Sequence, residues 1–304
     1  MIALKEYENI ISVIDTEIIK ISEILKKFFD INGVFLPEAV KKFLLQQSKK
    51  IRSVTAILFI KAIYSKVTDK QLKILALTEM IHNASLIHDD VIDEAKIRRN
   101  KQSINSIFGN NFAVITGDYI LSLALKELLN FNNQKLTNLF INSLYEVCRG
   151  EFEQDFHKNE IITIKEYIKK SERKTSELFK TALSGALISE NQMEKINIAE
   201  DFAKNFGIMF QIRNDLIDFL NGKTGAKNDI DNGIYTAPVI YISEIYNIKN
   251  IVKMNDVENA EAAEKTRELL NAYGRKTLDL ISSFPDNVYR NALINLCLEV
   301  QKNA

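Results

Sequence analysis

The stretch KQLKILALTEMIHNASLIHDDVID, residues 70–93, spaces its apolar side chains three and four positions apart and then ends in acidic residues. Leu72, Leu75 and Ala76 begin this spacing, which is typical of an α-helix that buries one face. The same period recurs along most of the chain, and only three prolines and ten glycines are present to interrupt it. The sequence therefore predicts an all-α fold.

The predicted architecture is a helical bundle. We expect about ten to twelve helices around a central cavity, among them helices at 70–88 and 104–131. Two polar stretches, 89–103 and 221–234, each follow a long apolar helix, and loops at one end of a bundle often border a ligand or metal site. No Pro/Gly/Ser-rich linker divides the chain, so residues 1–304 are predicted to form a single domain.

Composition and charge exclude several functional classes. Lys and Arg number 40 and balance 40 Asp and Glu, so no net field attracts nucleic acid. The two cysteines stand outside any CxxC pair, which argues against disulfides and zinc knuckles and favours a cytoplasmic protein. No apolar stretch reaches ~18 residues, so no transmembrane segment is expected. If the protein makes a lipid product, it must hold that product inside the fold or release it at a membrane surface.

The strongest chemical signal is the acidic cluster at the end of the quoted stretch. Asp89 and Asp93 are four positions apart and share one helix face, and Asp90 lies beside them. Three carboxylates this close repel one another unless a cation holds them, and their hard oxygen atoms suit Mg²⁺, which bridges carboxylates to phosphates. A solvated helix terminus is the alternative for this cluster taken alone.

A second acidic cluster, with Asn214, Asp215 and Asp218, again ends a long apolar helix. Two such helix ends facing each other would hold a diphosphate through bridging metal ions, whereas the alternative is an exposed amphipathic face. Basic residues that suit diphosphate lie near both clusters or between them in the chain. They are Lys49, Lys50, Arg52, Arg98, Arg99, Lys174 and Lys223.

With both clusters in this order, the sequence closely resembles the trans-isoprenyl diphosphate synthase (polyprenyl synthetase) family. LIHDDVIDEAKIRRNKQSIN (86–105) is similar to the family's first aspartate-rich motif, and FGIMFQIRNDLIDF (206–219) is similar to the second. The resemblance runs from about residue 45 to the C-terminus. It implies the isoprenoid synthase fold, an orthogonal helical bundle, and a Mg²⁺-dependent homodimer. The implied reaction adds isopentenyl diphosphate to an allylic diphosphate such as farnesyl diphosphate.

The resemblance also implies roles for single residues. The metal ligands would come from Asp89, Asp93, Asn214, Asp215 and Asp218. Isopentenyl diphosphate would bind Lys49, Arg52, His82 and Arg99, and the allylic diphosphate would bind Arg98, Lys174 and Lys223. The catalytic set would comprise Asp89, Asp90, Asp93, Lys174, Thr175 and Gln211, the last three directing oxygen dipoles at a carbocation. His82 is assigned by the resemblance alone, since the bare sequence favours a packed core histidine.

Small residues before the first motif bear on product length. Ala84 and Ser85 lie one turn above Asp89, where family members with short products usually carry a bulky aromatic residue. Ile81 and Met80 follow one turn of ~5.4 Å further on, and neither is aromatic. The implied product is long, about six to ten isoprene units, of the kind used for quinone side chains. Small residues that aid helix packing are the alternative explanation.

Two departures from the family pattern keep other functions open. Asn214 replaces the usual first aspartate of the second motif, and Ile234 replaces a diphosphate-binding lysine, so that Lys223 or Lys227 must take that role. A non-catalytic regulatory subunit of a heteromeric synthase is therefore one rival. A short-chain farnesyl or geranylgeranyl synthase and a class I terpene cyclase are the others, although a cyclase needs no isopentenyl diphosphate site.

Overall fold

The structure is a computed structural model that describes residues 4–31, 36–45, 48–98, 101–221, 230, 233–247 and 256–302. These residues form twelve continuous helical segments, and the predicted all-α fold is confirmed. The α-helices are α1 Leu4–Ile11, α2 Asp15–Ile31, α3 Glu38–Leu44, α4 Ile51–Tyr64, α5 Asp69–Ile92, α6 Ile104–Phe108, α7 Asn110–Leu129, α8 Gln134–Phe156, α9 Ile164–Ser171, α10 Glu177–Ser189, α11 Ile196–Leu220, α12 Ala237–Tyr246, α13 Asp256–Ile281 and α14 Val288–Lys302. None of the described helices combines the length and the apolar character needed to cross a bilayer.

Short elements of other geometry connect some of these helices. A 3-10 turn, Ser12–Ile14, joins α1 to α2, and another, Met193–Lys195, precedes α11. A π-helix, Glu172–Ser176, joins α9 to α10. The strands β1, Ile97–Arg98, and β2, Lys101–Gln102, pair antiparallel, with the first residue of β1 opposite the last residue of β2. The ladder therefore turns the chain back soon after the first acidic cluster.

Helix α5 lies at the centre of the bundle. A capping box fixes its start, because the Gln71 N–H donates to Thr68 Oγ1 (3.2 Å) and the Thr68 N–H donates to Gln71 Oε1 (3.0 Å). Buried residues occur on all sides of α5, as expected for a helix that packs against α2, α7 and α10 together. It continues to Ile92, past the predicted end at residue 88, so Asp89 and Asp90 lie in its last turn.

Helix α10 packs against both of the helices that carry the acidic clusters. It packs against both α5 and α11, and the ring of its Phe179 lies 5.2 Å from the ring of Phe206 on α11. Phe206 stacks on Phe202, which in turn lies 5.2 Å from Phe59 on α4. Aromatic pairs of this kind stabilise a core by ~0.5–1.5 kcal/mol beyond their buried area. The aromatic cluster thus fixes α4, α10 and α11 relative to one another.

The predicted helix at 104–131 is two helices. Gly109 separates α6 from α7, and its φ of +86° lies in the left-handed region, which glycine adopts without steric cost. The break lets α7 pack along α5 over its length. Its Gly117 leaves room for the His88 ring of α5, since a Cβ there would lie 2.3 Å from His88 Nε2.

Candidate active site

A cavity of about 1500 Å³ opens among the helices that carry the predicted motifs. Its walls come from α1, the start of α4, the C-terminal half of α5, α7, α8, the π-helix, α10 and α11. The predicted site residues that line it are Lys49, Arg52, His82, Ser85, Asp89, Arg98, Lys174, Thr175, Gln211 and Asn214. Both acidic clusters and the basic residues therefore contribute to one cavity.

The C-terminal end of α5 gathers negative charge. Burial raises the pKa of Asp89 to about 6; Lys174 opposes that rise, and the Glu151 and Asp93 carboxylates add to it. The pKa of Asp93 is raised as well, again first by burial. In the described part of the site, three carboxylates thus surround one lysine, an arrangement that favours binding of further positive charge.

Lys174 is the cation among these carboxylates, and it belongs to the π-helix between α9 and α10. Its ammonium lies 2.6 Å from Glu151 Oε2 of α8. Burial opposes the charge on Lys174, but Glu151, Asp89 and Asp93 outweigh it, so that the pKa of Lys174 is raised. The lysine therefore stays protonated and faces the cavity. A π-helical turn is rare and is found frequently at functional sites.

Asp90 differs from Asp89 and Asp93 in its contacts, and its predicted catalytic role stays a prediction. Its side chain is 1% exposed, and Asp90 Oδ1 accepts from Arg98 Nε (2.6 Å) and Nη2 (2.5 Å). The Asp90 carbonyl accepts from Asn105 Nδ2 (3.0 Å). Asp90 therefore fixes the ladder after α5, and Arg98 reaches the cavity with its charge already partly neutralised.

A chain of hydrogen bonds links the π-helix to α11. The Thr175 hydroxyl donates to Gln211 Oε1 (2.8 Å), and Gln211 Nε2 donates to Asp215 Oδ1 (2.8 Å). The Tyr167 hydroxyl of α9 donates to Asp215 Oδ2 (2.6 Å). Both Asp215 oxygens accept these hydrogen bonds, so Asp215 orients Gln211. Asp215 is not among the residues that line the cavity, and its predicted role as a metal ligand stays a prediction.

The remaining members of the second cluster differ in exposure. Asn214 lines the cavity, and its Oδ1 accepts from Arg213 Nη1 (3.1 Å). Asp218 lies one turn further along α11 and is exposed. Arg213 is buried, and among the described residues no hydrogen-bond partner lies within reach of its Nε and Nη2. Burial lowers the pKa of Arg213, while Asp218 opposes that effect.

Three of the predicted isopentenyl diphosphate residues line the same cavity. Lys49 immediately precedes α4, Arg52 lies in its first turn with its guanidinium 5.2 Å from the Phe179 ring, and His82 projects from α5. Burial lowers the pKa of Lys49, and the charge of Arg213 lowers it further. Three other predicted residues lie outside the described part of the chain: Arg99, Lys223 and Lys227.

Comparison with known proteins assigns the family. The sequence model of the Polyprenyl synthetase family matches residues 34–273. The chain belongs to the polyprenyl synthetase family. It is thereby a member of a family of prenyltransferases, the polyprenyl diphosphate synthases, as the two acidic motifs predicted.

Individual relatives share this family's fold and sequence. The chain is 35% identical over 268 residues to a decaprenyl-diphosphate synthase of Dictyostelium discoideum, covering 82% of this chain and 59% of that protein. It is 30% identical to heptaprenyl diphosphate synthase component 2 of Geobacillus stearothermophilus, over 88% of this chain and 89% of that one. The heptaprenyl diphosphate synthase structure from Staphylococcus aureus superimposes with a TM-score of 0.83 at 26% identity, covering 95% and 98% of the two chains.

Divalent metal ions bind the diphosphate in the polyprenyl synthetase family, and the residues present fit such ions. Asp89 and Asp93 offer hard oxygen donors where negative charge is in excess, and Asn214 and Asp218 offer oxygen donors on α11. Among the described residues, no three His, Cys, Asp or Glu side chains form a complete metal site. Magnesium-type ions need only one or two carboxylates when substrate phosphates complete their coordination.

The predicted chain-length residues of this prenyl synthetase separate into two groups. Ser85 lines the cavity, whereas Ala84, Met80 and Ile81 belong to the buried hydrophobic core and are not among its lining residues. Further wall residues come from α7 and α8, which sequence reasoning did not consider. They include Val114, Val147, Cys148 and Phe152.

Sequence reasoning also missed three polar residues of the site. Glu151, the ion-pair partner of Lys174, lies in a charge-rich helix end that reads as a solvated surface. Tyr167 carries no motif, and only the fold brings it to Asp215. Glu79 is buried on α5, lines the cavity and accepts from the Ser53 hydroxyl at 2.7 Å; its spacing from His82 and Asp89 on one helix was the available signal.

Proposed function

We propose that this protein is a trans-polyprenyl diphosphate synthase that condenses isopentenyl diphosphate head-to-tail onto an allylic diphosphate. One observation carries the proposal: Asp89, Lys174, Gln211 and Asn214 line the same cavity as Lys49, Arg52 and His82. The cavity thus combines acidic residues for a metal-bound diphosphate with basic residues for a second diphosphate. A terpene cyclase does not need the basic residues that would bind a second diphosphate.

Magnesium is the proposed ion, held by Asp89, Asp93 and Asn214 with Asp218. When bound, it supplies electrostatic stabilisation of the departing diphosphate. Lys174 adds a positive charge beside Asp89 and Asp93, and these carboxylates together with Glu151 keep it protonated. Asp90 and Asp215 support the site indirectly, by fixing Arg98 and Gln211.

The allylic cation would be stabilised by oxygen dipoles. Thr175 donates its hydroxyl hydrogen to Gln211 (2.8 Å), so the lone pairs of Thr175 Oγ1 remain available to face a cation in the cavity. The Gln211 side chain is held in turn by Asp215. Apolar walls from α5, α7 and α8 exclude the water that would quench the cation.

The proposed product is a long prenyl chain built on farnesyl diphosphate, about six to ten isoprene units for a quinone side chain. The relatives named above, a decaprenyl and a heptaprenyl synthase, support a long product. So does Ser85, because this cavity residue one turn above Asp89 is small and not aromatic. A cavity of about 1500 Å³ exceeds the ~300–1,000 Å³ that is typical of small-ligand pockets.

A homodimer is the proposed assembly. Large apolar side chains are exposed on α7 (Val114, Ile115 and Leu129) and on the adjacent α8 (Ile141 and Tyr145). Exposed apolar residues on neighbouring helices are typical of an interaction surface, and a second copy of the chain would cover them. Light scattering of the purified protein tests this assembly, and Ile115→Glu should shift a dimer to monomer.

The central experiment is an assay of the purified chain alone. With Mg²⁺, farnesyl diphosphate and isopentenyl diphosphate, the protein should release diphosphate, and chromatography should show long prenyl products. Chelation of the metal should abolish the release. Absence of turnover by the lone chain, followed by turnover after addition of a second subunit, would instead favour the role of a regulatory subunit.

A further inference from the structure

The N-terminal helix α1 forms part of the cavity wall. Tyr7, Glu8 and Ile11 line the cavity together with Lys49 and Arg52. The match to the family model begins at residue 34, so α1 lies outside the matched residues. The helix therefore brings side chains to the basic wall that neither acidic motif predicts.

Tyr7 contacts Lys49 in two ways. The Lys49 ammonium lies 5.2 Å from the centroid of the Tyr7 ring, within the ~6 Å over which a cation–π interaction operates. The Tyr7 hydroxyl donates to the Lys49 carbonyl oxygen. Tyr7 is itself only 6% exposed, so its ring is fixed by packing. One tyrosine thus holds both the backbone and the charged end of Lys49.

The backbone at this point needs such support. Lys50, the next residue, has a φ of +42° and lies in the left-handed region, which residues with a Cβ adopt only when their surroundings hold them there. Lys50 is also the N-cap of α4. The bond from Tyr7 to the preceding carbonyl therefore helps to set where α4 begins and where Lys49 points.

The chemistry of the contact suits an anion-binding lysine. The face of an aromatic ring stabilises the ammonium cation without adding a carboxylate that would compete with a diphosphate for it. Lys49 needs that stabilisation, because it is partly buried and near Arg213, which carries the same charge. An incoming diphosphate would compensate the charge of Lys49.

We infer that Tyr7 is a positioning residue for the diphosphate of isopentenyl diphosphate, acting through Lys49. The inference rests on the proposed function, in which Lys49 binds that substrate. On this inference α1 contributes to substrate binding. Changes in Tyr7 should alter the affinity for isopentenyl diphosphate and not for farnesyl diphosphate.

Two variants of Tyr7 test the inference in the full-length protein. Y7L keeps an apolar side chain but removes the ring and the hydroxyl, and it should raise the KM for isopentenyl diphosphate about fivefold. Y7F keeps the ring and should cause a smaller rise. Neither variant should change the KM for farnesyl diphosphate. In a K49M background, Y7L should add no further loss, because the group that it positions is absent.

Y289L is the matched control. The Lys61 ammonium lies 4.4 Å from the Tyr289 ring, so this variant removes a similar contact away from the cavity. It should lower the melting temperature without raising the KM for either substrate. Equal affinity of Y7L and the wild type for isopentenyl diphosphate overturns the inference, as does an equal loss of affinity for both substrates. If Y7L does not fold, the Y7F and K49M cycle decides in its place.

Calorimetric binding of isopentenyl diphosphate separates this inference from the proposed function. If the wild-type chain shows no turnover, the proposed function fails, but the comparison of wild type with Y7F and Y7L still reports whether Tyr7 supports the binding. If the wild type turns over and Y7L binds normally, only the role of Tyr7 fails.

Discussion

The two acidic helix ends look alike in sequence and differ in the structure. At the end of α5, Asp89 and Asp93 lie beside Glu151 with raised pKa values, and Lys174 balances them only in part. At the end of α11, Asp215 accepts from Tyr167 and Gln211, and its neighbour in the cavity is the neutral Asn214. The first end holds uncompensated charge, whereas the second is largely satisfied by its own hydrogen bonds.

This difference suggests that the two helix ends contribute differently to metal binding. The α5 end is poorly solvated and negatively charged, so most of the attraction for cations should arise there. The α11 end is held rigidly by a network that reaches from α9 to the π-helix, so it should mainly set geometry. Substitutions at the two ends should therefore fail in different ways.

Asp89→Asn should have the largest effect. It removes a charge that the metal needs, and kcat/KM should fall about 100- to 1000-fold. Stability of the metal-free protein should be unchanged or higher at neutral pH, because the ionised form of Asp89 is disfavoured in the fold. Kinetics and thermal unfolding check both statements. Asp69→Asn, at the exposed start of the same helix, is the control and should leave activity unchanged.

The pH dependence of metal binding should follow Asp89. Its pKa is about 6 in the fold against an ordinary 3.8, so its contribution to stability without metal is present at low pH and is lost as the pH rises through 6. Metal binds the ionised form, and its affinity should fall about tenfold per pH unit below 6. Thermal unfolding with and without Mg²⁺ on both sides of pH 6 measures this. An unchanged profile in Asp89→Asn would refute the assignment.

Tyr167→Phe should loosen the α11 end without altering its charge. The loss of the 2.6 Å bond leaves Asp215 Oδ2 short of a donor and should destabilise the protein by about 1–3 kcal/mol. The rate should fall about tenfold as Gln211 loses its fixed orientation. Denaturant unfolding and kcat measure the two effects, and Tyr145→Phe on the exposed side of α8 is the control. Normal stability would show that the network does not hold α11.

Asn214→Asp should make the two acidic helix ends more alike. An added carboxylate at the cavity should lower the Mg²⁺ concentration needed for half-maximal activity about threefold. The titration is read from the rate of diphosphate release. A higher metal requirement in this variant would show that the amide oxygen, as it stands, is the better ligand.

Substitution of a residue in the cavity wall should change the length of the product with little effect on the reaction rate. Ser85→Phe places a ring in the cavity above Asp89 and should shorten the products, as seen by chromatography. Ala84→Phe places the same ring in the packed core and should instead destabilise the protein by about 1–3 kcal/mol. Unchanged products in Ser85→Phe would show that the cavity wall at Ser85 does not limit the length of the product.

Much of the fold was accessible from the sequence because helical periodicity is a local property. The apolar spacing in α5 and the acidic pair at its end follow from residues three and four positions apart, and the structure has both on one helix. The split at Gly109 and the extension of α5 to Ile92 were missed, because helix ends depend on single capping contacts and are the least regular part of the pattern.

The rest of the site depends on contacts that no local pattern contains. Asp215 and Tyr167 are far apart in the chain, so the role of Asp215 as a hydrogen-bond acceptor follows only from packing. Ala84 and Ser85 are adjacent, yet one faces the core and the other the cavity, because successive residues point about 100° apart on a helix. Which of them faces the cavity depends on where α5 sits among its neighbours.

The π-helix Glu172–Ser176 should make this protein sensitive to the deletion of a single residue between α9 and α10. A π-helical turn contains one residue more than the regular helix would use, so α9 and α10 are out of phase by that residue. Deleting a single residue there would restore a regular helix and would rotate Tyr167 away from Asp215. A deletion that makes the local backbone more regular would thus separate Lys174 from its partner on α8, and Thr175 and Tyr167 from their partners on α11.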